Sequence, residues 1–361
     1  MNEIHLQLNG RFGEFELDID LITQASGVTA LFGHSAAGKT TLLRCIAGLE
    51  DPQTSYINIA GEIWQDSQKD IFLPTHRRSV GYVFQESLLF PHLNVESNIR
   101  YGLKRTNIRS SKLAIEEVID FLQLSSLLKR MPSRLSGGEQ KRVAIARALV
   151  SNPKLLMMDE PLANLDAEGK QEILPFLERM HRELEVPMFY VCHSMEEVVR
   201  LADFIVLLAQ GKVLDNGELL EVLEKADRFP GLEGSVLVGK VTKYDADYVL
   251  TEVAIANQCL LVGGRLGDED EDEEVRLFVS MKDVSITLEA TEESSILNIL
   301  PVKVVAIDDF DAGSVVVRLA IAETDLMPCI NAKITKFSSQ KLGLVPGLQV
   351  FAQIKGVALA R

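Results

Sequence analysis

The sequence predicts an α/β domain with a largely parallel sheet, interrupted by a helical insertion and followed by a small all-β domain. Three observations carry this. Short apolar runs alternate with helical patterns through the first two-thirds of the chain, and strand-like runs disappear between Glu86 and Val150. After Leu223, short runs rich in Val, Ile and Leu take over, with turn residues at regular intervals. A length of 361 residues exceeds one ordinary core and leaves room for two or three domains.

Four runs read as buried strands: Gly27 to Phe32, Ser79 to Phe84, Lys154 to Met158 and Pro187 to Val191. Each ends at a polar or glycine residue, where a doubly wound sheet presents its ligand-binding edge. In the insertion, Ile115, Ile119 and Leu122 recur at helical spacing, with Glu116, Glu117 and Asp120 mostly on the other side. A later helix, Lys170 to Leu184, aligns Ile173, Leu177, Met180 and Leu184 in one stripe. Pro175 lies early in that helix and is expected to bend it or to mark its first turn. Ala226 to Gly231 reads as a linker, which sets the domains at residues 1–228, with a helical subdomain at about 86–150, and 229–361. Strand-like segments from Ser235 to Val262 and from Val275 onward flank an unbroken acidic run, Asp268 to Glu274, which reads as a solvated loop.

Composition excludes several classes. A net charge of −15 argues against a nucleic-acid-binding surface, which needs clustered Lys and Arg. No apolar run reaches the length of a membrane-spanning helix, and the residues after Met1 lack a secretion-signal pattern. The four cysteines, Cys45, Cys192, Cys259 and Cys329, lie far apart, as in a chain of a reducing compartment with no disulfide framework or zinc site.

Gly33-His34-Ser35-Ala36-Ala37-Gly38-Lys39-Thr40-Thr41 matches the G-x-x-x-x-G-K-[ST] phosphate loop, directly after one predicted strand and before a helix, Thr40 to Ala47. Its glycines let backbone N–H groups wrap phosphates, Lys39 reaches the β/γ oxygens, and Thr40 offers a hydroxyl to Mg2+. The helix directs its N-terminal dipole at the anion. If position 36 requires a positive φ, alanine there adds strain. Asp159 and Glu160 end an apolar strand, in the arrangement that pairs a Mg2+ carboxylate with a residue polarising the attacking water. Taken alone, the pair could also be a solvated strand terminus, the weaker of the two readings. Leu135-Ser136-Gly137-Gly138-Glu139-Gln140 precedes an Arg-rich helix, Lys141 to Val150; small residues at a helix start form an anion seat, or simply an N-cap. Phe12 is a candidate to stack on adenine, in competition with Phe15 and with plain core packing. His34, Cys45 and Trp64 have no partner at ligand or stacking spacing, beyond the place of His34 in the loop.

That Ser136 string resembles the signature of ABC-type ATPases, and the remaining elements follow in that family's order. The resemblance covers Asn2 to about Gly217. It implies a phosphate-loop ABC ATPase core that binds ATP and Mg2+ and works as a homodimer, each Ser136–Gly138 segment facing the nucleotide held by the other copy. It implies that Gln85 senses Mg2+ and water, that His193 contacts the γ-phosphate, and that Ala163-Asn164-Leu165-Asp166 couples the two sites. Asn164 departs there from the usual small residue. Leu73 to Gln85, Leu89 to Leu93 and Gln171 to Glu178 are similar to the ATPases of molybdate importers. The tail, about 293–361, resembles the OB-like TOBE/Mop β domain of molybdate proteins, opening at Ser294-Ser295-Ile296-Leu297-Asn298. The expectation is the ATPase subunit of a molybdate importer on the cytoplasmic face of a bacterial inner membrane. Its partners would be an integral-membrane permease and an external molybdate-binding protein. Ser294, Ser295 and Lys341 are candidate oxyanion donors, against a purely dimerising or regulatory domain. An importer ATPase for sulfate, tungstate or sugars is the alternative in the same class. A non-transport ABC ATPase is disfavoured by the single cassette, the lack of sustained heptads and the charge.

Overall fold

The computed structural model describes residues 3–103, 115–163, 165–183, 186–224, 234–265, 274–290, 294–321 and 328–360. The expected linker, most of the acidic run, Asn164 and Leu184 lie outside the described residues. The chain divides into two compact units: Met1–His193 with Leu201–Leu219, and Ser194–Arg200 with Leu220–Arg361.

The first unit is built on β1 (Glu3–Phe12), β2 (Phe15–Gln24), β3 (Val28–Phe32), β4 (Thr54–Ile59), β5 (Glu62–Asp66), β6 (Ile71–Phe72), β7 (Val80–Val83), β8 (Leu155–Asp159), β9 (Met188–Cys192), β10 (Phe204–Ala209) and β11 (Lys212–Glu218). They form one sheet in the order β6-β5-β4-β1-β2-β11-β10-β3-β9-β8-β7. From β10 to β7 every pairing is parallel. β3, β8 and β9 are buried along their whole length, which explains their uninterrupted apolar runs. The other end, β1-β2 and β4 to β6, is antiparallel. This layer was not foreseen, although its alternation is plain in the sequence: Ile4, Leu6 and Leu8 face Leu17, Ile19 and Leu21 inward, while polar neighbours face out.

The helices of this unit are α1 (Lys39–Ala47), α2 (Val95–Ile99), α3 (Ile115–Phe121), α4 (Gly137–Leu149) and α5 (Ala167–Glu183). Leu42, Leu43 and Ile46 of α1 share one core with the inward residues of β1, β2 and β4 and with Trp64, which is fully buried. Arg78 fixes the far end of α1. Its guanidinium donates to the carbonyls of Cys45 (3.0 Å), Ile46 (2.7 Å) and Leu73 (2.7 Å) and to Gln65 Oε1 (2.6 Å). A cation is thereby placed on the last-turn carbonyls that a helix leaves unpaired. α5 begins at Ala167, not Lys170, because Asp166 Oδ1 accepts from the Gly169 N–H (2.9 Å) and caps the helix three residues earlier. Pro175 therefore lies well inside the helix, not in its first turn. α4 likewise begins at Gly137, four residues before the expected start.

The second unit holds α6 (Met195–Leu201) in large part, α7 (Leu219–Glu224), α8 (Lys336–Lys341) and two five-stranded sheets. One contains β12 (Gly234–Asp245), β13 (Leu250–Ile255), β14 (Gln258–Gly263), β15 (Glu274–Ser280) and β21 (Ala358–Ala360). The other contains β16 (Val284–Thr287), β17 (Asn298–Asp309), β18 (Ser314–Ala320), β19 (Cys329–Thr335) and β20 (Gln349–Ile354). Their inner faces share one core of Val, Ile and Leu. Asn298 stitches the sheets: its Oδ1 accepts from the Leu261 N–H and its Nδ2 donates to the Leu261 carbonyl, both at 2.8 Å. Gln258 Nε2 does similar work on the carbonyls of Pro301 (2.7 Å) and Ile321 (2.8 Å).

Candidate functional site

The loop between β3 and α1 turns on two left-handed residues, Ala36 (φ 63°) and Gly38 (φ 102°). The condition attached to Ala36 is met: an alanine there carries strain of about 1–2 kcal/mol. At Gly38 a Cβ would approach Phe15 Cζ to 2.7 Å, so the glycine serves both the turn and the neighbouring ring. Lys39 is 4% exposed, and its Nζ donates to the carbonyls of Gly33 (2.8 Å) and His34 (2.9 Å). Burial lowers its pKa, and the nearby Glu160 opposes that shift. His34 gives the loop its carbonyl, while its ring is exposed.

Parallel pairing brings the other groups to the same edge. Asp159 closes β8 opposite Val191 of β9, and the Glu160 N–H donates to the Val191 carbonyl (3.1 Å). His193, just past β9, consequently meets Glu160, with Nε2 in direct contact with Oε1. Glu160 adopts φ 45°, a left-handed turn that redirects the chain as it leaves the strand. Thr40 Oγ1 donates to Asp159 Oδ1 (2.9 Å) and the Tyr82 hydroxyl donates to Oδ2 (3.3 Å). Burial raises the pKa of Asp159, against the lowering effect of these two hydrogen bonds. Burial also raises that of Tyr82, which therefore stays a proton donor. Ser35 to Thr41, Glu160, His193, Phe12 and Phe15 line one cleft of about 360 Å³. Both aromatic candidates thus border the phosphate loop.

Gln85 is exposed beyond the end of β7 and is not among the residues lining that cleft. Its backbone is anchored by Lys141, 2% exposed, whose Nζ donates to the carbonyls of Gln85 (2.8 Å) and Phe84 (3.2 Å). Burial lowers the Lys141 pKa to about 8. Asn98, fully buried, folds the following segment by donating to the carbonyls of Phe90 and Leu93 and accepting from the Phe90 N–H. Arg147 holds the carbonyls of Leu88 (2.9 Å) and Ser87 (3.3 Å).

Ser136 caps α4: its Oγ accepts from the Glu139 N–H (3.0 Å) and its N–H donates to Glu139 Oε2 (2.8 Å), a reciprocal capping box. It lies outside the cleft of its own chain, as do Gly137, Gly138 and Asp166. Among the described residues no group of three or more His, Cys, Asp or Glu side chains is placed to hold a metal. A hard cation here would rely on Thr40 and Asp159, whose oxygens suit Mg2+, together with substrate oxygens.

The three oxyanion candidates leave from different points along β17. Ser294 and Ser295 precede Asn298, which pairs with Ile354, whereas Lys341 leads into a turn whose Gly347 N–H donates to Val304. The two anchor points lie about 20 Å apart along β17, at a rise of about 3.3 Å per residue. Ser294 Oγ is already used, accepting from the Ile296 N–H (3.0 Å).

Tyr82, Arg78, Asn98 and Lys141 went unrecognised in the sequence. Tyr82 had a weak signal, a polar-tipped residue on the opposite face of a short strand from Val83. Arg78 and Lys141 act on carbonyls distant in sequence, and Asn98 on those of a nearby loop, for which no local pattern exists.

Comparison with known proteins adds the following. Residues 17–163 match the model of the ABC transporter family, and residues 294–360 match the TOBE domain. A protein of Aromatoleum aromaticum named molybdenum import ATP-binding protein ModC is 49% identical over 98% of this chain and 94% of its own length. Namesakes from Azotobacter vinelandii, at 48% with 96% of each chain covered, and Pseudomonas aeruginosa, at 46% with 99% of each, are also similar. Among solved structures, a dimeric ATP-binding cassette in a post-hydrolysis state with ADP and Pi superimposes with a TM-score of 0.50 at 26% identity. That match covers 60% of this chain and 98% of the cassette.

Proposed function

The chain belongs to the ABC transporter family, among its molybdenum import ATP-binding proteins, and we propose that two copies enclose ATP and Mg2+ between them and use hydrolysis to drive molybdate uptake through a membrane permease. One observation carries the mechanism. The cleft gathers Lys39, Thr40, Glu160 and His193, with Asp159 bonded to Thr40, while the capped N-terminus at Ser136 stands outside it. An anion seat that does not serve its own chain's cleft is suited to a second copy.

The loop amides from Ser35 to Thr41 and the Lys39 ammonium are positioned for the β/γ phosphate oxygens. Thr40 and Asp159 would hold Mg2+, which supplies neutralisation of charge on those oxygens. Glu160 orients and polarises the attacking water, and His193, in contact with its carboxylate, holds it in place and reaches the γ-phosphate. Phe12 and Phe15 flank the loop where the purine ring would stack. Phosphoryl transfer of this kind depends on positioning and charge stabilisation, so no covalent intermediate forms. Gln85, tethered through Lys141 to the start of α4, couples the site to the permease.

The working assembly is a homodimer on an integral-membrane permease at the cytoplasmic face of a bacterial inner membrane, fed by an external molybdate-binding protein. No described helix is long and apolar enough to cross a membrane. The unit carrying Ser294, Ser295 and Lys341 serves dimerisation or regulation, with these three residues as its candidate oxyanion donors. Glu160→Gln should retain ATP, form an ATP-dependent dimer and lose at least about a hundredfold in turnover. Turnover equal to the parent would refute the role of Glu160. Uptake of molybdate, sulfate and tungstate with the cognate permease tests the cargo.

A further inference from the structure

Gly137 and Gly138, the two glycines at the start of α4, are in contact with their own chain's coupling loop and the helix that follows it. A Cβ at Gly138 would stand 2.7 Å from Glu172 Oε2, and one at Gly137 would stand 3.1 Å from Leu165 Cδ2. Glu172 projects from α5, which Asp166 caps. Its other oxygen, Oε1, accepts from Arg142 Nη2 on α4. Arg142 is itself buried, donates through Nη1 to the Leu122 carbonyl (3.1 Å), and lies 5.3 Å over the Phe176 ring. One carboxylate therefore both fills the space left by a missing side chain at Gly138 and grips the helix one turn later. Nothing else in the proposed chemistry uses it.

We propose that Glu172 is a positioning residue for the nucleotide held by the other copy. It locks the Ser136–Gly138 turn and α4 to α5, the helix that continues from the coupling loop, so that the seat offered to the partner's phosphates has a fixed orientation. The inference rests on the two-copy sandwich argued above. It concerns only the surface presented across the dimer, because Glu172 lines no part of its own chain's cleft. A loss of this lock leaves ATP binding by a single chain intact and damages closure and turnover, since a small misplacement of a positioning group costs rate far more than ground-state affinity.

The test uses the full chain in five forms: Glu160→Gln, Glu172→Ala, Glu172→Gln, and each of the last two combined with Glu160→Gln. Binding of a fluorescent ATP analogue by monomer should stay within about twofold of the parent for every form, and thermal midpoints should remain close. ATP-driven dimerisation of the Glu160→Gln chain should weaken by at least about tenfold on adding Glu172→Ala, with kcat of Glu172→Ala falling by a similar factor. Glu172→Gln, which keeps the shape and an acceptor for Arg142, should recover most of both. Unchanged dimerisation with Glu172→Ala overturns the inference, as does a loss of monomer ATP binding in step with thermal stability. Failure of Glu160→Gln alone to dimerise with ATP removes the sandwich reading and this inference with it. Weak dimerisation of the double variant beside normal dimerisation of Glu160→Gln alone supports the lock, whereas a full kcat in Glu172→Ala overturns it.

Discussion

Buried polarity is handled differently in the two units. In the cassette, Lys39, Arg78, Lys141, Arg142 and Asp159 are all at most 8% exposed, and each of the four cations donates to at least one backbone carbonyl. In the two β sheets of the second unit the buried polar groups are neutral: Ser235, Thr251 and Asn298. Sinking a cation is costly unless its donors are satisfied. The cassette accepts that cost where loops and helix ends must be held in set shapes. The β sheets need only be joined to each other, and an amide that mimics a strand partner does this without charge. The difference teaches that the cassette uses buried cations to fix loops and helix ends, whereas neutral amides are enough to join the two β sheets.

The comparison can be broken in both units. The largest effect is expected at Arg78. Arg78→Met should leave the carbonyls of Cys45, Ile46 and Leu73 without their donor and should destabilise the cassette by about 3 kcal/mol or more. Calorimetry reads this in the transition that shifts with added ATP, which identifies the cassette. A shift of that transition by less than about a degree would show that the guanidinium is not what holds α1. Next comes Asn298→Leu, which strips the Leu261 N–H and C=O of their partners in the seam. A loss of about 1–2 kcal/mol is expected, confined to the other transition, with the ATP dependence of hydrolysis retained. Coupled loss in both transitions would remove the contrast between the units. The smallest effect is at Ala36→Gly. Relieving the left-handed alanine should tighten ATP binding by less than about fivefold, measured by titration calorimetry, because the strain relieved is offset by the flexibility of glycine. Weaker binding would mean that the alanine methyl itself contributes to the cleft.

The same contrast governs what was legible beforehand. Residues acting at strand ends and helix starts announced themselves. Lys39, Thr40, Asp159, Glu160 and His193 sit at the junctions that their motifs require, and the structure collects them around one edge of the sheet. The β1–β2 hairpin shows an equally regular alternation, which the stronger parallel-strand signal masks. The oxyanion candidates carry no positional signal of this kind. Residue type alone suggested Ser294, Ser295 and Lys341 as donors, but strand register places their anchor points at different positions along β17.

By itself, the order of residues determined the α/β cassette, its phosphate loop and paired carboxylates, the capped start of α4 and the β character of the remainder. These follow from periodicity and from residues that must be neighbours in the chain to act. Only the tertiary structure decided that Lys141 secures the backbone of Gln85, that Arg78 closes α1 and that Glu172 backs Gly138. Each of those contacts joins groups more than 30 residues apart, through side chains seeking carbonyls or empty space. A carbonyl left unpaired by a helix end or a loop has no signature of its own, so which distant cation reaches it becomes visible only when the chain is folded.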